Sequence, residues 1–260
     1  SRGLGDVYKR QDHIRSDLQL FGDRTQQFVF ISSASAYHKP VRHLPITEST
    51  PLHNPFWEYS RNKIACEELL IDEYRSRDFP ITIVRPSHTY DKTLLPFTSG
   101  GTVFKRILSD KPVIVHGDGT SLWTMTHHRD FAVGLVGLLG NPKAVGEAFH
   151  ITSDEAIPWN EVFLAMGRAV GKVPRLVHVP SDVIARANSE WGDGLLGDKA
   201  HSVLFDNSKI KGVVPDFNCT TPFHEGAREI AAFHVENPDF APIDPERNAL
   251  IERLIERFSV

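Results

Sequence analysis

The hydrophobic residues in the first third of the chain alternate between short continuous runs and a longer helical repeat. Residues 27–33 form an apolar run that ends in two serines, a pattern typical of a buried parallel strand. Residues 56–77 place apolar side chains at helical spacing, and residues 81–85 form a second apolar run. A strand, a helix and a strand with no hairpin signal between them predict a parallel crossover unit of an α/β fold.

The segment between the first strand and this helix is rich in proline, so it is predicted to be neither helix nor central strand. Asn54 and Pro55 end the segment. They are typical of a helix start, because a capping side chain precedes a proline at the first helical position. The pattern therefore predicts a helix that begins at Phe56. An amphipathic helix is also predicted after residue 11, ahead of the first strand.

The second half of the chain predicts shorter and more mixed elements. Strands are predicted at residues 113–116, 148–152 and 175–179. Helices are predicted at residues 129–139, 159–170, 181 onward, 223–235 and 245–258. Gly192 and Gly194, on either side of Asp193, predict a loop turn. The expected architecture is an α/β front part followed by a smaller mixed lobe.

Composition and charge limit the classes of partner. The formal net charge is -4, so no broad basic surface is expected and nucleic acid is an unlikely partner. The longest uncharged apolar run, residues 131–140, is about half as long as a membrane-spanning helix must be. Cys66 and Cys219 lie far apart and outside any C-x-x-C pair, which favours a reducing cytoplasm over a structural zinc site.

The first eleven residues, S-R-G-L-G-D-V-Y-K-R-Q, differ in character from the rest of the chain. Residues 6–11 resemble the in-frame translation of an adapter used to prepare sequencing libraries. We therefore expect residues 1–11 to be a non-native leader and residues 12–260 to be part of a larger domain. A natural polar leader is the alternative.

Three groups of residues carry candidate chemistry. Ser33 comes directly after the first strand, Tyr59 and Lys63 lie one turn apart on the same helix face, and Arg85-Pro86 ends the second strand. Because α/β folds bind ligands at the carboxyl ends of parallel strands, all of them are expected at one crevice.

These residue types suit proton transfer at a substrate hydroxyl. A lone tyrosine, with an ordinary pKa of about 10, is almost fully protonated at neutral pH, and a nearby ammonium favours its phenolate form. A lone Y-x-x-x-K is a weak signal, since a solvated pair on a helix surface has the same spacing.

The order of the motifs is more specific than any one of them. The chain contains S-S-A-S-A-Y, then Y-S-R-N-K, R-P, G-D-G-T at Gly117 and H-H-R-D-F-A at His127. This series resembles the extended short-chain dehydrogenase/reductases of the NAD-dependent epimerase/dehydratase kind. The resemblance implies the C-terminal part of a Rossmann-like, doubly wound parallel sheet at residues 12–95 and 113–152. A substrate lobe is then expected at residues 96–112 and 153–260.

The resemblance also implies roles for individual residues. Ser33, Tyr59 and Lys63 correspond to the catalytic triad, and Tyr59 and Lys63 also contact the cofactor, NAD or NADP. Pro86 and Ser87 are expected beside the nicotinamide. The Gly-rich phosphate loop of the family does not occur in this sequence, so the chain as given is expected to bind the cofactor poorly and to be inactive. The resemblance leaves a homodimer open.

Four further positions bear on the substrate, which is expected to be a sugar or a nucleotide sugar. Ala34 and Ser35 stand where the dehydratases carry an acidic pair, which argues against dehydration and favours an epimerase or a simple dehydrogenase. His88 and Trp123 stand where nucleotide-sugar enzymes hold the diphosphate, so they are expected, with Ser35, to shape a pocket for a different sugar or polyol. A protonated His88 is expected to offset part of the missing charge.

Two other functions stay open. The second half of the chain is also similar to chloroplast stem-loop RNA-binding proteins built on this fold, which predicts a non-catalytic RNA-binding relative as the alternative. A structural subunit without catalysis is the third. No metal is expected, because His127 and His128 are better explained as residues at a helix start. Trp57, Trp159 and Trp191 are expected to be core or interface aromatics.

Overall fold

The computed structural model describes residues 10–22 and 24–258 and contains a mixture of short strands and helices. Within this part of the chain the strands are β1 Phe28–Ile31, β2 Ile81–Pro86, β3 Thr89–Tyr90, β4 Val113–His116, β5 Leu122–Trp123, β6 Thr126–His127, β7 Glu147–Ile151, β8 Ile157–Pro158 and β9 Leu176–Val179. The α-helices are α1 Gln11–Phe21, α2 Glu58–Arg77, α3 Gly100–Leu108, α4 His128–Leu138, α5 Trp159–Ala169, α6 Ser181–Ala187, α7 Ser189–Gly194, α8 Ser208–Val213, α9 Phe223–Glu236 and α10 Pro245–Phe258.

The central sheet has three parallel strands in the order β1-β2-β7. Phe28 of β1 is aligned with Ile81 of β2, and Pro86 at the end of β2 is aligned with Ile151 of β7. Helix α2 makes the crossover from β1 to β2, which confirms the predicted parallel unit. Because the strands run in one direction, their carboxyl ends form a single edge of the sheet.

Helix α2 covers one face of the sheet and packs against α1. Cys66 and Leu70 of α2 are buried in one apolar cluster with Ile14 and Leu18 of α1. No helix among the described residues is both long and apolar enough to cross a membrane.

The predicted start of α2 at Phe56 was wrong by two residues. The Asn54 Oδ1 atom does accept hydrogen bonds from the backbone amides of Phe56 and Trp57, at 3.2 and 3.1 Å. Those bonds close a separate turn, and the helix itself begins at Glu58, with Trp57 as its N-cap. The capping signal was therefore real, but it belongs to the turn that leads into the helix.

The second half of the chain forms three two-stranded sheets, of which β4 with β9 and β3 with β6 are parallel and β5 with β8 is antiparallel. Strand β4 lies in the expected Rossmann-like part, residues 113–152, and its partner β9 lies in the expected substrate lobe, residues 153–260, so this pair joins the two parts. The division of the chain into those two parts stays a prediction.

The loop turn predicted at Gly192–Gly194 was wrong, because these residues lie in α7. The Asn188 Oδ1 atom caps this helix by accepting from the Trp191 amide at 2.8 Å, and the Trp191 side chain is buried. A side chain at Gly192 would collide with Ala185, so this glycine serves close packing and not a turn.

The predicted leader lies almost entirely outside the described residues. Residues 1–9 are not described, whereas Gln11 is the first residue of α1 and its Nε2 atom donates to the Ala65 carbonyl oxygen at 2.8 Å. The leader therefore remains a prediction, with Gln11 already part of the packed helix.

A buried ion pair joins the end of β2 to α2. The Arg85 guanidinium donates from Nε and Nη2 to the Glu67 carboxylate, with a shortest distance of 2.6 Å, and the Glu67 side chain is fully buried. Burial opposes the charged form of Arg85, but the hydrogen bonds to Glu67 and its charge outweigh this, so the pKa of Arg85 lies above its usual value.

The same arginine also reaches the proline-rich segment. Arg85 Nη1 donates to the Tyr37 hydroxyl at 3.3 Å and to the Glu48 carbonyl oxygen at 3.2 Å. The Tyr37 hydroxyl lies 3.0 Å from His150 Nδ1, and the His150 Nε2–H group donates to the Asp206 carbonyl oxygen at 2.7 Å. One buried polar chain therefore connects β2, α2, the segment before α2 and β7.

A second buried histidine supports the far end of β4. The His116 Nε2–H group donates to the Lys199 carbonyl oxygen at 3.0 Å, and burial lowers the pKa of His116 to about 4. The folded protein therefore holds His116 as the neutral imidazole at neutral pH.

We expect Glu67→Gln to lower the free energy of unfolding by about 3 kcal/mol, because it leaves the buried Arg85 charge without its counter-ion. Urea unfolding measures this, with Glu68→Gln, an exposed glutamate on the same helix, as the matched control. A loss below about 1 kcal/mol for Glu67→Gln would contradict the role of the pair.

We expect His116→Gln to make stability less sensitive to acid. The unfolded chain binds a proton at His116 below about pH 6.5, whereas the folded chain does so only near pH 4, so stability falls as the pH drops through this window. Between pH 7 and 5.5 the unmodified chain should lose about 1 kcal/mol more than the variant, since Gln keeps a donor for the Lys199 carbonyl and cannot titrate. Equal losses in urea unfolding at the two pH values would show that His116 is not held neutral.

Candidate active site

Ser33 lies just beyond the end of β1, at the carboxyl edge of the sheet. It is the N-cap of a short 3-10 turn, Ala34–Ala36, and its Oγ atom accepts from the Ser35 amide at 3.2 Å. The side chain is half-buried, so the turn holds the hydroxyl in one place without closing it off.

A chain of hydroxyl groups connects Ser33 to helix α2. Ser33 Oγ lies 2.8 Å from Ser35 Oγ, and the Ser60 hydroxyl donates to the same Ser35 atom at 2.7 Å. Ser60 is the neighbour of Tyr59 in the helix. Ser35 is buried, and its hydroxyl is hydrogen-bonded to both Ser33 and Ser60, so this geometry favours a role for Ser35 in positioning Ser33. The contact of Ser35 with the substrate stays a prediction.

Tyr59 and Lys63 lie at the start of α2, above the end of β1. The Lys63 ammonium donates to the Ile31 carbonyl oxygen at 2.8 Å and lies 5.7 Å from the centre of the Tyr59 ring. Lys63 is only 3% exposed, whereas Tyr59 is half-buried. The structure therefore brings Ser33, Tyr59 and Lys63 to the same edge of the sheet.

Pro86 and Ser87 occupy the same edge on the neighbouring strand. Pro86 is the last residue of β2, and the buried Ser87 side chain donates to the Thr124 carbonyl oxygen at 3.4 Å. This places them where the resemblance expects the nicotinamide, although their contact with it stays a prediction.

The polar groups of this edge fit the sugar and amide parts of a dinucleotide. Lys63 offers an ammonium, Tyr59 a phenol and Ser33 a hydroxyl, which are the donor types that ribose hydroxyls bind. These residues would hold the nicotinamide end of NAD or NADP.

His88 and Trp123, the predicted substrate residues, lie in direct contact. The Trp123 Nε1–H group donates to His88 Nδ1 at 2.8 Å. Burial, with the nearby Lys199 charge, lowers the pKa of His88 to about 3. The expectation that a protonated His88 supplies positive charge near neutral pH was therefore wrong, because this imidazole is neutral and accepts a hydrogen bond.

Trp57 and Lys199 connect the two groups of predicted residues and were missed by the sequence. The Trp57 ring lies 4.9 Å from the Tyr59 ring, and the Lys199 ammonium lies 5.5 Å from the Trp57 ring and 5.6 Å from the Trp123 ring. Trp57 was expected to be a core or interface aromatic, and it is half-buried beside Tyr59, whereas Trp159 and Trp191 are buried. Nothing in the sequence around Lys199 marks it, because its neighbours come from distant segments.

His127, His128 and Glu229 bring three potential metal ligands within 4.8 Å of one another. His127 is also the N-cap of α4, where its Nδ1 atom accepts from the Arg129 amide, and its Nε2 atom lies 3.1 Å from Glu229. The role of His127 at a helix start is confirmed. The expectation of no metal stays a prediction.

Comparison with known proteins adds three likenesses. The chain is 28% identical over 195 residues to 2'-dehydrokanamycin reductase from Streptomyces kanamyceticus, which covers 73% of the chain and 54% of that protein. It is 26% identical over 159 residues to the chloroplast stem-loop binding protein of 41 kDa b from Arabidopsis thaliana, with coverage of 60% and 39%. The chain thus spans about half the length, or less, of these curated relatives.

The third likeness is to a solved structure, UDP-glucuronic acid 4-epimerase from Bacillus cereus in complex with NAD. The TM-score is 0.71 at 19% identity, and the match covers 86% of this chain and 67% of the epimerase. This likeness confirms the expected fold class, a Rossmann-like α/β fold.

The family profile matches one segment of the chain, which contains Ser33, Tyr59, Lys63, Pro86 and Ser87. It covers residues 18–152, from α1 to β7, and therefore more than half of the chain. The family is described as the NAD dependent epimerase/dehydratase family. With the crossover unit, the order of motifs and this match in agreement, the chain belongs to the NAD-dependent epimerase/dehydratase family.

Proposed function

We propose that this chain carries the catalytic residues of an NAD(P)-dependent enzyme that oxidises a secondary alcohol, or reduces the matching ketone, on a sugar-like substrate. The observation that carries the proposal is the position of Lys63. Its ammonium is bonded to the Ile31 carbonyl at the end of β1 and lies beside the Tyr59 ring, next to the Ser33 turn. A buried lysine held in this way places positive charge beside a tyrosine at the ligand-binding edge of the sheet.

Each residue then has a defined role. Tyr59 removes the proton from the substrate hydroxyl during oxidation and returns it during reduction. Lys63 stabilises the negative charge that Tyr59 carries after it has lost its own proton. Ser33 donates a hydrogen bond to the same substrate oxygen and is held in place by Ser35. NAD(P), when bound, accepts or donates the hydride at the substrate carbon.

An epimerase or a simple dehydrogenase suits these residues better than a dehydratase. Removal of water requires an acid and a base beyond the triad, whereas the turn after β1 offers the methyl group of Ala34 and the engaged hydroxyl of Ser35. Two of the compared proteins are named for related chemistry, 2'-dehydrokanamycin reductase and UDP-glucuronic acid 4-epimerase.

RNA binding is the second candidate, supported by the likeness to the stem-loop binding protein. The net charge of -4 and the retained Ser33, Tyr59 and Lys63 favour the redox function. Filter binding to stem-loop RNA at physiological salt separates the two, since the first candidate predicts no saturable binding.

We expect Tyr59→Phe, made in a protein that joins this chain to the family's Gly-rich phosphate loop, to lower turnover about 10²-fold, because it removes the group that transfers the proton. The measurement is cofactor-linked oxidation of sugar alcohols, with Tyr74→Phe, a tyrosine further along α2, as the control. Cofactor affinity should stay nearly unchanged. Turnover of Tyr59→Phe within a few-fold of the unmodified chain would remove Tyr59 as the acid and base.

We expect Lys63→Met to weaken both cofactor binding and turnover, because one ammonium serves the ribose and the tyrosine. Titration of NAD and NADP by fluorescence, with both variants made in the protein that carries the Gly-rich phosphate loop, tests the effect on cofactor binding. Arg61→Met is the matched control, since it removes an exposed cation from the same helix. Equal cofactor affinities for Lys63→Met and the unmodified chain would mean that Lys63 only supports the fold.

A further inference from the structure

The backbone of Lys199 is held by several hydrogen bonds from other parts of the chain. Lys199 ends a π-helical turn, Leu195–Lys199, a rare form that is frequent at functional sites. Its carbonyl oxygen accepts from Trp159 Nε1 at 3.1 Å, from His116 Nε2 at 3.0 Å and from the Ser121 hydroxyl at 3.3 Å. Three side-chain donors from separate segments therefore fix the backbone from which this side chain extends.

The same turn is locked to the segment that leads into α2. The Asn54 Nδ2 group donates to the Gly197 carbonyl oxygen at 2.6 Å and also to the Ser35 carbonyl oxygen at 2.9 Å. A Cβ atom at Gly197 would lie 2.6 Å from the Trp57 Cβ atom, so only glycine allows this approach. These contacts hold the segment that carries Trp57 next to the turn that carries Lys199, and they do not depend on the cation–π attraction between the two side chains.

The surroundings of Lys199 hold more positive than negative charge. Asp198, the neighbouring carboxylate, lies 3.3 Å from the ammonium of Lys39, whose side chain is fully buried. No carboxylate in residues 10–22 or 24–258 forms an ion pair with Lys199. Two ammonium groups therefore share one carboxylate, which leaves one positive charge in excess.

That excess charge is costly where it lies. Burial lowers the pKa of Lys199, which shows that the site disfavours an uncompensated ammonium. The faces of Trp57 and Trp123 attract the cation, but they do not neutralise it. An anion that enters the site would remove the imbalance.

The position of the ammonium connects it to the catalytic edge. The Trp57 ring lies near both the ammonium and the Tyr59 ring, and the Trp123 ring lies near the ammonium and is hydrogen-bonded to His88. His88 is neutral and so cannot supply the charge that an anionic substrate needs. Lys199 is therefore the cation that a substrate lying along Trp57 would meet beyond the reacting hydroxyl.

We propose that Lys199 binds a singly charged oxyanion of the substrate, the carboxylate of an acidic sugar, while a ring hydroxyl lies at Tyr59. One excess positive charge matches one carboxylate, whereas a diphosphate would bring two negative charges to the same place. The placement of the hydroxyl rests on the proposed redox function, but the binding of the carboxylate does not require catalysis or cofactor.

The test is a titration followed by tryptophan fluorescence, to which Trp57 and Trp123 contribute together with Trp159 and Trp191. Glucuronate is compared with its neutral methyl ester, with glucose and with glucose 1-phosphate. Glucuronate should bind about tenfold or more tightly than the methyl ester, because the charge-assisted contact is lost in the ester. Lys199→Met should reduce this preference to within about twofold, and Lys199→Arg should retain most of it.

Lys92→Met is the matched control, because Lys92 also lies over an aromatic ring, that of Phe233, and is solvent-exposed. It should leave the preference for glucuronate unchanged. Equal binding of glucuronate and its ester by the unmodified chain would overturn the proposal, even if Lys199→Met fails to fold. So would a tenfold preference for the sugar phosphate over glucuronate, or a preference that survives in a folded Lys199→Met variant.

The proposed redox function and the proposed carboxylate site can be tested independently of each other. Turnover that depends on Tyr59 but is indifferent to Lys199→Met and to the substrate carboxylate would overturn the carboxylate site alone. A carboxylate preference that depends on Lys199, without turnover that depends on Tyr59, would overturn the redox function alone.

Discussion

The buried ion pair between Arg85 and Glu67 holds together the elements on which the site is built. Glu67 lies on the same helix as Tyr59 and Lys63, and Arg85 immediately precedes Pro86 at the carboxyl edge of the sheet. Charges at this depth are stable only when hydrogen bonds satisfy them, and here the guanidinium reaches two carboxylate oxygens and the Tyr37 hydroxyl. The pair joins the helix to the strand end, so it fixes the position of the helix that carries Tyr59 and Lys63.

The site next to this ion pair has a polar half and an aromatic half. The polar half consists of hydroxyl groups and the Lys63 ammonium at the end of β1, while the aromatic half is formed by Trp57, Trp123 and the neutral His88. Lys199 lies between the two indoles and joins the halves. A substrate that spans both would place a hydroxyl against the first half and its remaining groups against the second.

The sequence predicted the parts of this arrangement that depend on local pattern. The crossover unit, the shared helix face of Tyr59 and Lys63 and the position of Ser33 beyond a strand all result from periodicity and parallel strand direction. Long-range contacts could not be predicted in this way. Glu67 as the partner of Arg85, the neutral state of His88 and the place of Lys199 each result from burial among distant segments. The helical Gly192 shows the same limit, because close packing against Ala185 favours glycine there. The start of α2 was missed for a local reason, because the Asn54 side chain caps a turn ahead of the helix.

The proposed function requires hydride transfer between a sugar-like alcohol and a nicotinamide cofactor at this edge of the sheet. It is tested most directly by supplying a substrate that carries deuterium on the carbon bearing the reacting hydroxyl and analysing the cofactor by mass spectrometry. If hydride is transferred, the nicotinamide ring acquires the deuterium when the cofactor is reduced. If the enzyme is a simple dehydrogenase, it then releases the labelled cofactor. Turnover of the substrate with an unlabelled cofactor and deuterium lost to water would contradict it.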